Sequence, residues 1–224
     1  MKLSKRLKAI TDFVNDGEKI IDIGCDHALM DIYIYQNRKK VKIIASDIHE
    51  GALNQAQKNI TKYELENKIK LRLGDGLSVV KSGEVDTVII AGMGYNNIIK
   101  ILSDKEKLQT INKIILQSNT DVVKLRKSVI KLGFRISREV LVKDKEIIYT
   151  IIEFVRGVEK YSYDEIYFGP KILENKDALF YEYYGRKLLK YENLLLQLPK
   201  YELKSKLHHK KLIRIIKKEV ESEN

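Results

Sequence analysis

Tryptophan is absent from this chain, and cysteine occurs once, as Cys25. One cysteine can form no intramolecular disulfide and no Cys-rich zinc module. The four histidines, at 27, 49, 208 and 209, show no HExxH or comparable ligand spacing, so no metal is expected. Proline is nearly missing: Pro170 and Pro199 are the two, and both lie in the last third. No run approaches the ~18 consecutive apolar residues of a membrane span. The longest uncharged stretch, Thr87 to Ile99, is broken by two glycines and two asparagines. Acidic residues are in deficit, with 31 Asp+Glu against 42 Lys+Arg and a formal charge of +11. Such an excess favours a polyanionic partner, nucleic acid before an acidic membrane surface, although part of it can be solubilising charge.

The N-terminal segment carries Lys2, Lys5, Arg6 and Lys8 among Leu3, Leu7, Ile10 and Val14. That spacing is an amphipathic helix and not the apolar region of a signal peptide. A soluble, cytoplasmic, monomeric protein is expected. With 224 residues, 44% hydrophobic and 33% charged, the chain can bury a core across one or two domains.

Strand and helix signals alternate along the first two thirds. Apolar runs at 19–23, 41–46, 68–73, 85–91 and 113–117 read as strands, with helices at 3–14, 28–37, 51–63, 96–102 and 122–132. Residues 135–142 and 146–155, joined by a polar turn, read as a closing β-hairpin. The expected fold is α/β: a Rossmann-like, mostly parallel seven-stranded sheet of the class I methyltransferase type, over residues 1–157.

Composition shifts near Gly157, and eight of the 13 tyrosines fall between 161 and 201. Tyr181, Tyr184, Leu188, Tyr191, Leu195 and Leu198 recur at heptad-like spacing, and Leu203, Leu207, Leu212, Ile216 and Val220 follow Pro199-Lys200. Residues 158–224 are therefore expected to form a coiled-coil-like helical hairpin, the two stripes being its own core.

In a doubly wound sheet, ligands bind beyond the carboxyl ends of the strands. Here those ends carry Asp22-Ile23-Gly24-Cys25-Asp26-His27, Asp47, Gly74-Asp75-Gly76 and Ala91-Gly92-Met93-Gly94. The first turn has one glycine where GxGxxG has three, which disfavours a dinucleotide and a nucleotide-dependent oxidoreductase. S-adenosylmethionine has no phosphate, and its positive sulfonium tolerates Asp22 and Asp26. Asp47 can accept from both ribose hydroxyls and Asp75 from an adenine amino group. Each acid alone is equally explained as a cap or a solvated turn, but four such sites in order point to a cofactor.

The runs Asp22-Ile23-Gly24-Cys25-Asp26-His27-Ala28, Ala45-Ser46-Asp47-Ile48, Arg72-Leu73-Gly74-Asp75-Gly76-Leu77 and Ile90-Ala91-Gly92-Met93-Gly94 resemble the bacterial tRNA adenine-N1 methyltransferases acting on tRNA position 22. The likeness covers most of residues 3–155 and extends to the C-terminal hairpin. It implies that S-adenosylmethionine is held by Asp22, Gly24, Asp26, Asp47, Ile48, Asp75, Gly76, Ala91, Gly92 and Met93. It implies tRNA as partner and adenine N1 as nucleophile. Asp26 is the candidate for stabilising the developing cation, and His27 for positioning the base or moving a proton. N1 lies on the Watson–Crick edge, so the target must leave its pairing and stack.

Two positions depart from the family pattern: Tyr95 replaces a glycine and Ser118 a proline. Tyr95 is expected to stack on the target base, with Asn96 beside it. Lys2, Lys5, Arg6, Lys8, Lys200, Lys204, Lys210, Lys211 and Arg214 are expected to meet tRNA phosphates, Arg6 alternatively the cofactor carboxylate. The competing reading is a catalytically weak RNA-binding protein that keeps the fold.

Overall fold

The computed structural model describes residues 3–199 and 201–221. Lys2 and Lys200 lie outside them. The strands are β1 (Lys19–Ile23), β2 (Lys42–Asp47), β3 (Ile69–Leu73), β4 (Thr87–Met93), β5 (Lys113–Ser118), β6 (Phe134–Asp144) and β7 (Ile147–Arg156). They form one sheet in the order β3-β2-β1-β4-β5-β7-β6. β3 through β5 are parallel, and β7 and β6 close the sheet antiparallel. The apolar runs Ile20–Ile23 and Val88–Ile90 are buried, as strands covered on both faces must be.

Helices α1 (Lys5–Thr11), α2 (Leu29–Asn37) and α3 (Glu50–Lys62) lie in the first half, and α4 (Tyr95–Ile101), α5 (Lys105–Gln109) and α6 (Val122–Lys131) follow β4 and β5. One face of the sheet is sealed by a core containing Ile21, Ile90, Ile98, Leu125 and Phe134. The opposite face is sealed by Ile10, Phe13, Ile32, Ile43 and Ile89. The chain runs outward from β1 to β3, then returns to place β4 on the other side of β1. That reversal opens a crevice at the strand ends.

The expected elements are present, and β4 runs two residues further than expected, with a register shift between Ala91 and Met93. Four short elements carried no periodic signal. These are α5, a 3-10 turn at Gly76–Val79, α7 (Tyr163–Phe168) and α8 (Pro170–Glu174). Ser162 and Glu165 form a capping box on α7, and Pro170 starts α8.

The buried guanidinium of Arg126 ties these two helices to the sheet. It donates to Glu139 Oε1 at 2.6 Å and to the carbonyls of Ile166, Tyr167 and Phe168. Glu139 Oε2 accepts from Lys171 N. Gly169, at φ +101°, passes so close that a Cβ there would lie 2.5 Å from Glu139 Oε2.

Helices α9 (Ala178–Gln197) and α10 (Leu203–Glu221) form the hairpin. Phe180, Tyr184, Leu212 and Ile216 share a core with Phe168, Ile172 and Leu141 of β6. Leu203 and Leu207, expected inside, are 66% and 68% exposed. The buried residues of α10, Leu212 and Ile216, lie in its second half, and that half joins the core of the body. Among the described residues, no helix is long and apolar enough to cross a membrane.

Candidate active site

A cavity of about 1150 Å³ opens at the carboxyl ends of β1, β2 and β4. All ten residues expected to hold the cofactor line it: Asp22, Gly24, Asp26, Asp47, Ile48, Asp75, Gly76, Ala91, Gly92 and Met93. Gly24 and Gly92 have φ of +81° and +78°, which a side chain would strain. At Gly24 a Cβ would also lie 2.5 Å from Met93 Cε. Glycine therefore keeps the first turn open toward the cavity. Ile48, 59% exposed, offers an apolar face at the rim.

Asp47 is well held. Its Oδ1 accepts from His49 N at 2.9 Å, and its Oδ2 from Asp26 N at 3.4 Å. Asp26 sits in the left-handed region at φ 51°, and His27 Nε2 lies 3.4 Å from its carboxylate. Both side chains are exposed at the mouth. Asp75 pairs with Lys100 at 2.9 Å, a residue without a signal in sequence.

Beneath the cavity, Asp22 and Asp31 are buried side by side. Neither oxygen of Asp31 has a donor from elsewhere, so the facing carboxyl is its polar neighbour. Burial pushes Asp22 up to about 7; the hydrogen bond with Asp31 opposes that shift, and the charge of Asp47 adds to it. Asp31 is raised well above the carboxylate range by burial and by Asp22. Both carboxyls therefore hold their protons above the ordinary carboxylate range. Burial and then these acids push the Cys25 thiol up, so it remains a protonated, small buried residue.

Arg6 reaches the cavity from α1. Its guanidinium donates to Gln117 Oε1, which also accepts from Gly92 N at 3.0 Å. Asp144 Oδ2 accepts from Arg6 N. Gln117 is fully buried and was not expected at the site, although its amide orients both Arg6 and the β4 turn.

The phase of α4 corrects two expectations. Tyr95, Ile98, Ile99 and Leu102 form its inner stripe, packed on the core. Tyr95 is therefore turned away from the cavity, with its hydroxyl 3.0 Å from Ser128 Oγ. It does not offer a stacking face there. Asn96 is exposed and does not line the cavity either; Asn97, Lys100 and Ile101 do, at i, i+3 and i+4. Lys204, Lys210, Lys211 and Arg214 are exposed on α10, away from the cavity lining, and Lys211 Nζ covers the Tyr163 ring at 3.8 Å.

With this geometry in place, comparison with known proteins is decisive. A methyltransferase domain family matches residues 3–152. The tRNA (adenine(22)-N(1))-methyltransferase of Bacillus subtilis is 33% identical over 195 residues, covering 84% of this chain and 82% of the relative. The chain belongs to the tRNA (adenine(22)-N(1))-methyltransferase family. An M. capricolum structure in complex with S-adenosyl-homocysteine superposes with a TM-score of 0.88 at 32% identity, covering 99% of both chains. A Streptococcus pneumoniae protein crystallised with S-adenosyl-L-methionine gives 0.88 at 28% identity, covering 98% of this chain and 100% of that one. Members of this methyltransferase family thus carry the same sheet and the same C-terminal hairpin over their whole length.

Proposed function

We propose that this chain methylates N1 of an adenine in tRNA, at position 22, using S-adenosylmethionine. The observation that carries the reading is the convergence of ten strand-end residues on one cavity at the sheet's reversal. The residues fit this cofactor: the open Gly24 turn admits a ligand, and Asp22 presents acid to a cation. S-adenosylmethionine, when bound, supplies an electrophilic methyl on a sulfonium. Asp47 would accept from the ribose hydroxyls, Ile48 would cover one face of the purine, and Asp75 with Gly76 would meet its edge. Arg6, held by Gln117 and Asp144, would face the amino-acid carboxylate.

The target adenine enters beside Asp26 and His27. Its N1 lone pair needs no base to attack, so alignment supplies most of the acceleration. Methylation leaves a cation, which the Asp26 carboxylate stabilises as it develops. His27 positions the base at the mouth. Residues 1–157 carry the transfer, and 158–224 grip the tRNA through Lys204, Lys210, Lys211 and Arg214, the protein acting as a cytoplasmic monomer.

The test is methyl transfer to unmodified bacterial tRNA, read as 1-methyladenosine by mass spectrometry of the digested nucleosides. Asp47→Ala abolishes cofactor binding. Asp26→Asn lowers kcat at least about tenfold and weakens cofactor binding by less, as loss of a charge used mainly in the transition state requires. Binding of tRNA without any product would instead select the catalytically weak RNA-binding reading.

A further inference from the structure

A second cavity, of about 510 Å³, lies behind the first. The β5–α6 turn separates them. Asn119 N donates to Met93 O at 2.8 Å and Asn119 Nδ2 to Gly92 O at 2.7 Å, and both acceptor residues line the cofactor cavity. The other side of that turn, with Tyr149, Tyr183 and Lys187, lines the second cavity. Arg6 of the first cavity lies over the Tyr149 ring, 5.4 Å from its centroid. The two spaces thus adjoin across that turn.

Its chemistry is aromatic, neutral-polar and basic at once. Lys187 Nζ stands 4.3 Å from the Tyr183 ring centroid and forms no ion pair among the described residues. The one acid on the lining, Asp121, is already paired with Lys124. Thr120 Oγ1 accepts from Tyr95 N, which leaves its hydroxyl proton to donate. Ser118 Oγ donates to Thr120 O at 2.7 Å and sets the turn, at the position where the family pattern has proline. The buried Tyr167 hydroxyl lines the same space without a hydrogen-bond partner of ordinary length, its polar neighbours being the phenols of Tyr191 and Tyr184.

We propose that this cavity receives an unpaired nucleotide of the RNA substrate, next in sequence to the adenine that enters the cofactor cavity. An adenine drawn out of its stack exposes its neighbour as well, and that neighbour needs a surface to replace lost stacking. Tyrosine faces supply one for any base, and unstacked RNA is recognised in this way. The volume falls in the ~300–1,000 Å³ range of small-ligand sites. Lys187 meets the adjoining phosphate, consistent with the chain's positive charge. The inference rests on RNA being the substrate.

The experiment uses full-length protein and a transcribed tRNA that the wild type methylates, so failure at that first step sinks the earlier reading and not this one. Filter binding then compares wild type, Tyr183→Ala and Lys187→Met, with cofactor Kd measured by calorimetry. Tyr183→Ala raises the tRNA Kd about tenfold with cofactor Kd unchanged. Lys187→Met reduces the slope of log Kd against log salt by about one. A tRNA made abasic on one side of the target binds wild type about tenfold more weakly and costs Tyr183→Ala nothing further. Wild-type affinity in Tyr183→Ala, an unchanged salt slope in Lys187→Met, or indifference to abasic sites on both sides would each overturn the assignment.

Discussion

At the scale of single residues, the Asp22–Asp31 pair makes the site sensitive to pH. The unfolded chain releases these protons near pH 4, whereas the folded protein keeps that of Asp22 to about pH 7 and that of Asp31 well above the ordinary carboxylate range. Between those values the native state binds more protons, so stability falls as pH rises through the window. Asp31→Asn keeps a donor facing Asp22 and removes the cost of holding a proton on Asp31. It is expected to flatten the slope between about pH 4 and 7 and to add about 1–3 kcal/mol at pH 8. Urea unfolding across that range measures both, and a slope equal to wild type would show that Asp31 holds no extra proton in the folded protein. Asn97 makes a second case. It lines the cofactor cavity while Asn96 does not, so Asn97→Ala weakens cofactor binding about fivefold and Asn96→Ala leaves it unchanged, as titration calorimetry can show. The acids at the strand ends could be read from sequence because each follows a recognisable apolar run. Asn97 could have been found from the inner spacing of Ile98 and Leu102, which turns residue 97 outward; Gln117 closes an apolar run but reads there as part of the strand, and nothing marks Lys100.

At the scale of elements, buried strands declared themselves as unbroken apolar runs, while elements of four to six residues had too little length for a period. α7 and α8 are tied to the sheet by the Arg126–Glu139 pair, and neither residue signals burial in sequence. Arg126 answers three carbonyls at the end of α7, where a cation also meets the helix's negative end. Arg126→Met leaves Glu139 buried and uncompensated, at an expected cost of about 3–5 kcal/mol. Gly169→Ala forces a methyl against Glu139 Oε2 and Arg126 Nη2 at positive φ, and is expected to destabilise by about 2 kcal/mol or more. Thermal unfolding followed by circular dichroism checks both; a change below 1 kcal/mol in either would show that the clamp is slack. The hairpin stripe was readable as a helical period, but not how far its partner extends, which is why Leu203 and Leu207 came out exposed.

At the scale of the whole molecule, βα alternation was enough to anticipate the sheet and its reversal, because chain connectivity leaves few alternatives. The second cavity was hidden, since it is assembled from β5, β7 and α9, which are distant in sequence. The surplus of positive charge belongs to this scale too. Affinity for tRNA is expected to fall at least about tenfold between 50 and 200 mM monovalent salt, while cofactor affinity barely moves. Equal salt sensitivity of the two would mean that the charge serves solubility alone. Arg6, finally, is placed by Gln117 of β5 and Asp144 of β6, more than a hundred residues later. During synthesis from the N-terminus, β1 to β4 can be present while Arg6 still has no anchor. The methyl-donor cleft is thus the last feature of the sheet to mature, and a nascent chain cannot capture the donor in its final geometry until the closing strands have emerged.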